Sequence, residues 1–193
     1  MAIKRKGYGQ VEPNHLSAQH NGQIYAQLPA QKTTTTGTGT SATTTVTKVA
    51  QLENGQFLKY NYAAGECTTT GDIEWMLVYN EEKLYDERRQ AHKDFAMLAS
   101  DMCDGTIYPR LFKTNVGDIF TTNTFRTSGD ATVAGPDAEI NMPDVTVGDY
   151  FIIDNDGWLK NNTTTKGAGM AWQAVKVYTM PDGQPGVKLQ RVQ

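Results

Sequence analysis

The chain has little of what usually announces a chemistry. Its 193 residues hold two cysteines, three histidines and three tryptophans. Cys67 and Cys103 show no C-x-x-C spacing and no His-rich company, so they are expected as reduced, half-buried thiols, neither a disulfide nor a metal knot. His15 and His20 have no acidic or cysteine neighbour at ligand spacing and read as exposed, uncoordinated side chains. No apolar run approaches the roughly 18 residues of a membrane-spanning helix; the densest patch is Trp75-Met76-Leu77-Val78-Tyr79. Excess positive charge is missing too. With 18 Lys and Arg against 21 Asp and Glu the net charge is −3, which argues against direct nucleic-acid binding. Lys4, Arg5 and Lys6 are followed by no apolar stretch, so a secretory signal is not expected.

Catalytic phrases are also lacking. There is no G-x-S-x-G, no P-loop lysine motif, no H-E-x-x-H and no G-x-G-x-x-G after a strand. Asp154 and Asp156 superficially suggest a calcium loop, but Thr165 stands where the twelfth-position acid belongs, and an Asp-Gly turn explains them as well. His92 has no Ser or Cys nucleophile at a recognisable spacing. These readings point to a non-enzymatic protein with no catalytic residue, no metal and no cofactor.

What is there is a phrase said twice. Val116-Gly117-Asp118-Ile119-Phe120 returns as Val147-Gly148-Asp149-Tyr150-Phe151, and Gly71-Asp72-Ile73 is a partial third copy. Glycine tolerates positive φ and aspartate closes a turn on its own backbone, so Gly117, Asp118, Gly148 and Asp149 are predicted structural turns, each opening a strand. Asn54-Gly55 and Asp156-Gly157, each followed by an aromatic, Leu and Lys, predict tight hairpins. Alternating apolar residues give about nine strands, among them 49–52, 57–62, 73–80, 119–125, 150–154, 170–180 and 187–192. The strand at 73–80 is apolar on both faces and belongs in the middle of its sheet. Three- and four-residue apolar steps over 81–102 predict the one short helix, although 94–98 could also start a strand.

The first third differs. Residues 33–47, TTTTGTGTSATTTVT, lack the apolar surface to offset ordering entropy and read as extended and mobile. Upstream, Ile24, Tyr25 and Leu28 are spaced apolar anchors of the kind that order against a partner by β-addition. The expected organisation is an extended, basic, Thr-rich arm over 1–47, then an antiparallel β-barrel or sandwich domain over 48–193.

The arm, together with Glu53-Asn54-Gly55-Gln56-Phe57, Trp75-Met76-Leu77-Val78-Tyr79, Val116-Gly117-Asp118-Ile119-Phe120-Thr121-Thr122-Asn123 and Val147-Gly148-Asp149-Tyr150, resembles virion proteins of tailed bacteriophages. The likeness is to auxiliary head proteins that decorate and stabilise capsids. It implies an arm lying on the major capsid protein, with Lys4, Arg5 and Lys6 meeting acidic capsid surface and Ile24, Tyr25 and Leu28 forming the docking strand. It also implies an outward β domain, a possible homo-trimer, and a place on the capsid surface with no membrane contact. A head-fibre base, a tail or baseplate part, or a receptor module binding glycans through loops 127–145 and 161–169 is the competing expectation.

Overall fold

The computed structural model describes residues 3–4, 8–21, 24–26, 28–71, 73–80, 96–98, 108–127, 139–140, 145–162, 165–180 and 183–193. The chain is mainly β, with two curled sheets packed as a sandwich-like half-barrel. One sheet has seven strands, in the order Phe125–Arg126, Leu159–Asn161, Tyr150–Ile153, Ala171–Thr179, Pro185–Arg191, Ile119–Thr122, Val11–His15. The other has five, in the order Ile24–Ala26, Arg110–Phe112, Trp75–Val78, Phe57–Asn61, Glu66–Thr68. Among the described strands all pairings are antiparallel except that between Phe125–Arg126 and Leu159–Asn161.

The strand period of two explains the layers. Phe57, Leu77 and Phe112 face the seven-stranded sheet and meet Phe120, Phe151, Trp172 and Leu189 in the main core. The ring of Trp172 stands edge-on to Phe120 at 4.8 Å and lies 5.9 Å from Phe57. Leu58, Met76, Val78 and Leu111, one residue out of phase, point the other way. They form a second core with Ala30, Leu52, Cys67 and Met97. The five-stranded sheet is thus covered on both faces, and Trp75–Val78 lies at its centre, as its unbroken apolar run predicts.

Several expectations need correction. Asn54-Gly55 turns the chain, with Gly55 at φ 93°, but makes no hairpin. Strand Gln51–Glu53 pairs with Ala96–Leu98, while Phe57–Asn61 pairs with Trp75–Val78 and Glu66–Thr68. The turn is buried and its polar groups go elsewhere. Gly55 N–H donates to the Val78 carbonyl at 2.9 Å, and the Asn54 side chain binds both the N–H and the C=O of Asn80. The chain therefore changes layers there. The predicted helix at 81–102 lies outside the described residues except for Ala96–Leu98, which is strand. The described α-helix is instead Ser17–Asn21, five residues long.

The boundary at residue 47 also moves. Val11–His15 is the outermost strand of the seven-stranded sheet, paired with Ile119–Thr122. Val11, Leu16 and Ala18 are at most 1% exposed in the main core. Gly9 N–H donates to the buried Glu53 carboxylate at 2.6 Å and Gln10 N–H to Asn123 Oδ1 at 2.7 Å, and a Cβ at Gly9 would collide with the Asn54 carbonyl. These residues fold into the β domain because the domain supplies the apolar floor and sheet edge that the segment lacks.

Candidate functional site

Three features stand out from the core: two matched turns, a projecting ribbon and the groove at the ribbon's base. The turns are the repeated phrase. Asp118 N–H donates to the Asn115 carbonyl at 3.0 Å and Asp149 N–H to the Thr146 carbonyl at 3.2 Å. Gly117 and Gly148 sit at φ 100° and 101°. These are type II turns, whose third position demands positive φ. Each docks on the central hairpin with the same pair of bonds. Gly117 N–H donates to Arg191 O and Arg191 N–H to Asp118 O; Gly148 N–H donates to Ala174 O and Ala174 N–H to Asp149 O. The sequence repeat is therefore a structural repeat.

The two carboxylates differ in what they hold. Asp118 is 1% exposed and accepts the Ser17 backbone N–H at 3.0 Å, the Ser17 hydroxyl, and the Asn115 N–H at 2.8 Å. It clamps the start of the short helix, across about a hundred residues of sequence. Asp149 is only partly buried and accepts the Thr146 N–H and hydroxyl of its own turn at 2.8 and 2.9 Å.

The Thr-rich tract is an ordered hairpin. Gln31–Thr36 pairs antiparallel with Thr43–Lys48 over six residues, closed by a turn at Gly37 and Gly39. Residues 32–48 are all exposed. Thr is β-branched and favours extended backbone, and Thr35 and Thr44 touch hydroxyls across the strands at 3.2 Å. The inner end is fastened by Glu66, whose two carboxylate oxygens accept the Thr33 N–H at 3.1 and 2.9 Å, and by a parallel bridge between Ala30 and Cys67.

A groove of about 460 Å³ opens where this ribbon meets the domain. On its wall Arg126, 8% exposed, lies 4.5 Å over the Trp158 ring and pairs through Nη1 with Asp156. Asp156 Oδ1 also accepts the Trp158 N–H at 3.1 Å, while Arg126 Nε has no hydrogen-bond partner among the described residues. Lys32 and Lys48 line the same groove, so its described lining holds three cations and one carboxylate. The surplus is positive and suits an acidic group on a partner. The Asp154 and Asp156 carboxylates, candidate calcium ligands in the sequence, pair with Lys160 at 3.6 Å and with Arg126.

The residues expected to dock are scattered. Ile24 and Tyr25 lie in a strand opposite Phe112 and Leu111, already paired within the chain. Leu28 is half-buried against the second core. Lys4 is opposite Glu139 in a short two-stranded pairing, and Arg5 and Lys6 lie outside the described residues. So does most of loop 127–145, while loop 161–169 is exposed over 165–169. Cys67 is fully buried, and burial first and the Glu66 charge second push its thiol from 9.0 to about 12. Cys103 lies outside the described residues. Sequence reasoning missed the groove, whose single local signal is the Asp-Gly turn beside Trp158. No protein-family model, curated protein or solved structure matches the chain.

Proposed function

We propose that this protein is a non-enzymatic virion component that decorates and stabilises a phage capsid, docking on the major capsid protein through its Thr-rich ribbon. The observation that carries the reading is a hairpin ordered over six residue pairs and wholly exposed beyond its first residue. Such an element contributes nothing to its own core and offers hydroxyls and backbone to another surface. We place the docking role on this ribbon rather than on Ile24, Tyr25 and Leu28, since Ile24 and Tyr25 already pair on one side with Phe112 and Leu111 and Leu28 packs on the second core. The charge role expected of Lys4, Arg5 and Lys6 is taken at the ribbon's base by Lys32, Lys48 and Arg126, which suit acidic capsid surface. A decoration protein requires many weak, repeated contacts rather than one deep pocket, and avidity over a lattice supplies the binding strength.

The test is co-sedimentation with capsids that lack the protein. The full chain should pellet with particles. A chain with residues 33–46 replaced by a two-residue Asn-Gly turn should stay in the supernatant while retaining its thermal transition. Equal pelleting of the two would sink the ribbon as the docking element. Failure of the full chain to bind any such particle would sink the capsid reading itself.

A further inference from the structure

The ribbon has two edges, and they are not alike. The edge of Gln31–Thr36 is closed near its base by the Glu66 carboxylate on Thr33 N–H, by the Gln31 N–H to Pro29 carbonyl bond at 3.1 Å, and by the Ala30–Cys67 bridge. Among the described residues no strand pairs with the outer edge of Thr43–Lys48. Its polarity follows from the ladder. Thr33 directs its N–H outward to Glu66, so the Thr33–Val46 pair is one of those that exchange no hydrogen bonds across the ribbon. Val46, and Thr44 two residues earlier, therefore turn their N–H and C=O groups toward the open edge.

Native proteins guard such edges with lysine, proline, bulges or very short strands. Here the stretch from Thr43 to Thr47 is Thr-Thr-Thr-Val-Thr, without charge, proline or glycine, and with β-branched residues throughout. Lys48 stands only at the end.

We propose that this open edge is a self-association surface. Two copies join antiparallel about Thr45, turning two ribbons into one continuous four-stranded sheet. In that register Thr44 exchanges both backbone hydrogen bonds with Val46 of the second copy, and Val46 does the same with Thr44 of the second copy. Charge permits this occupant and register. Each Lys48 falls opposite Ala42 of the other copy, so the two ammonium groups lie about 20 Å apart at the strand spacing of 3.4 Å per residue. That is beyond the screening length of about 8 Å. Because only one edge is open along its whole length, the pairing is isologous and gives a two-fold dimer rather than the ring that a trimer requires. The joined area is small, so the isolated dimer is weak, and it strengthens where copies are already held side by side. The inference does not depend on the capsid reading, since it concerns the free protein.

Single cysteines placed in a Cys67→Ala, Cys103→Ser background and oxidised mildly test the register. Thr45→Cys should crosslink to itself about tenfold faster than the exposed control Thr165→Cys, through raised effective concentration. Thr44→Cys and Val46→Cys should crosslink poorly alone and readily when mixed. Adding Val46→Pro, which removes an outward N–H while leaving the ribbon's own ladder intact, should return Thr45→Cys to the control rate. Thermal transitions close to that of the parent background establish that the variants fold. A Thr45→Cys rate equal to the control overturns the proposal. So does crosslinking of Thr45→Cys only to a foreign protein in particles, which would make the edge a docking strand for that protein.

Discussion

Residues 8–30 and residues 31–48 are neighbours in sequence, and they end in opposite places. The first stretch completes a sheet edge and places Val11, Leu16, Ala18 and Ala30 in the two cores at 1% exposure or less. The second leaves residues 32–48 entirely exposed. Composition separates them in part, with Val11, Leu16, Ile24, Tyr25 and Leu28 in the first and Val46 alone in the second; what each meets does the rest. Around Gly9 and Gln10 the domain offers Glu53 and Asn123 as acceptors, and a floor that includes Phe120. The ribbon is offered one carboxylate, Glu66, at its base. Apolar anchors and a receiving surface with matching acceptors together therefore decide which stretch folds in.

Removing residues 1–30 tests the comparison most severely. Deleting the edge strand, Leu16 and Val11 together should lower stability by more than about 4 kcal/mol, at about 1.5–3 kcal/mol per buried aliphatic side chain, and should leave the domain unfolded or aggregating. Leu16→Ala alone should cost about 2–5 kcal/mol in urea denaturation. A truncated chain with the parent's melting transition would restore the boundary at residue 47.

The matched turns sharpen the same contrast at smaller scale. Asp118→Ala leaves the Ser17 N–H without its acceptor and should cost about 2–3 kcal/mol, whereas Asp149→Ala frees the groups of its own exposed turn and one long 3.3 Å bond from the Asn161 amide and should cost about 1 kcal/mol. Equal losses, measured by chemical denaturation, would mean that the Asp118–Ser17 clamp does not hold the N-terminal segment.

Cys67 lies under the junction between the two stretches, bridged to Ala30. Its thiol is raised from 9.0 to about 12 in the fold, so the unfolded chain loses this proton first as pH rises. The stabilising contribution is whole below pH 9 and is lost progressively between pH 9 and pH 12. Relative to Cys67→Ala, the parent should lose about 1 kcal/mol of stability between pH 8 and pH 10. A thiol reagent should label Cys67 at pH 8 only after denaturation. Rapid labelling of the native protein at that position would mean that the junction opens.

Much of this architecture was legible because it is local. The alternation over 73–80, the Gly-Asp turns at Gly117 and Gly148, and the Asp156-Gly157 hairpin each carry their signal within a few residues. Asn54-Gly55 carries the same signal and misleads. Its donor and acceptor groups are claimed by Val78 and Asn80, more than twenty positions away, and nothing local records that. The insertion of residues 9–18 depends on Asn123 and Asp118, across a separation of 113 residues in the case of Gln10 and Asn123. The groove was illegible for the same reason: Arg126, Asp156 and Lys32 come from different elements and meet only in the fold.

The smallest expected effect falls on the ribbon itself. Its exposed Thr side chains bury almost no apolar surface, and its two strands satisfy each other's backbone. Ordering those residues opposes folding by about 1 kcal/mol or more each, so the ribbon's internal hydrogen bonds and cross-strand contacts do little more than balance that entropy. Replacing residues 33–46 by an Asn-Gly turn should therefore change the unfolding free energy by no more than about 1 kcal/mol in either direction. The small remainder comes from Glu66, a carboxylate of 3% exposure whose bond from the residue-33 N–H has to re-form on the new turn. Pairing the excision with Glu66→Gln separates the two contributions. If the double variant matches the parent while the excision alone falls short, Glu66 is the fastening point. If the excision alone costs several kcal/mol, the ribbon belongs to the folding unit after all, and the contrast with residues 8–30 is one of degree.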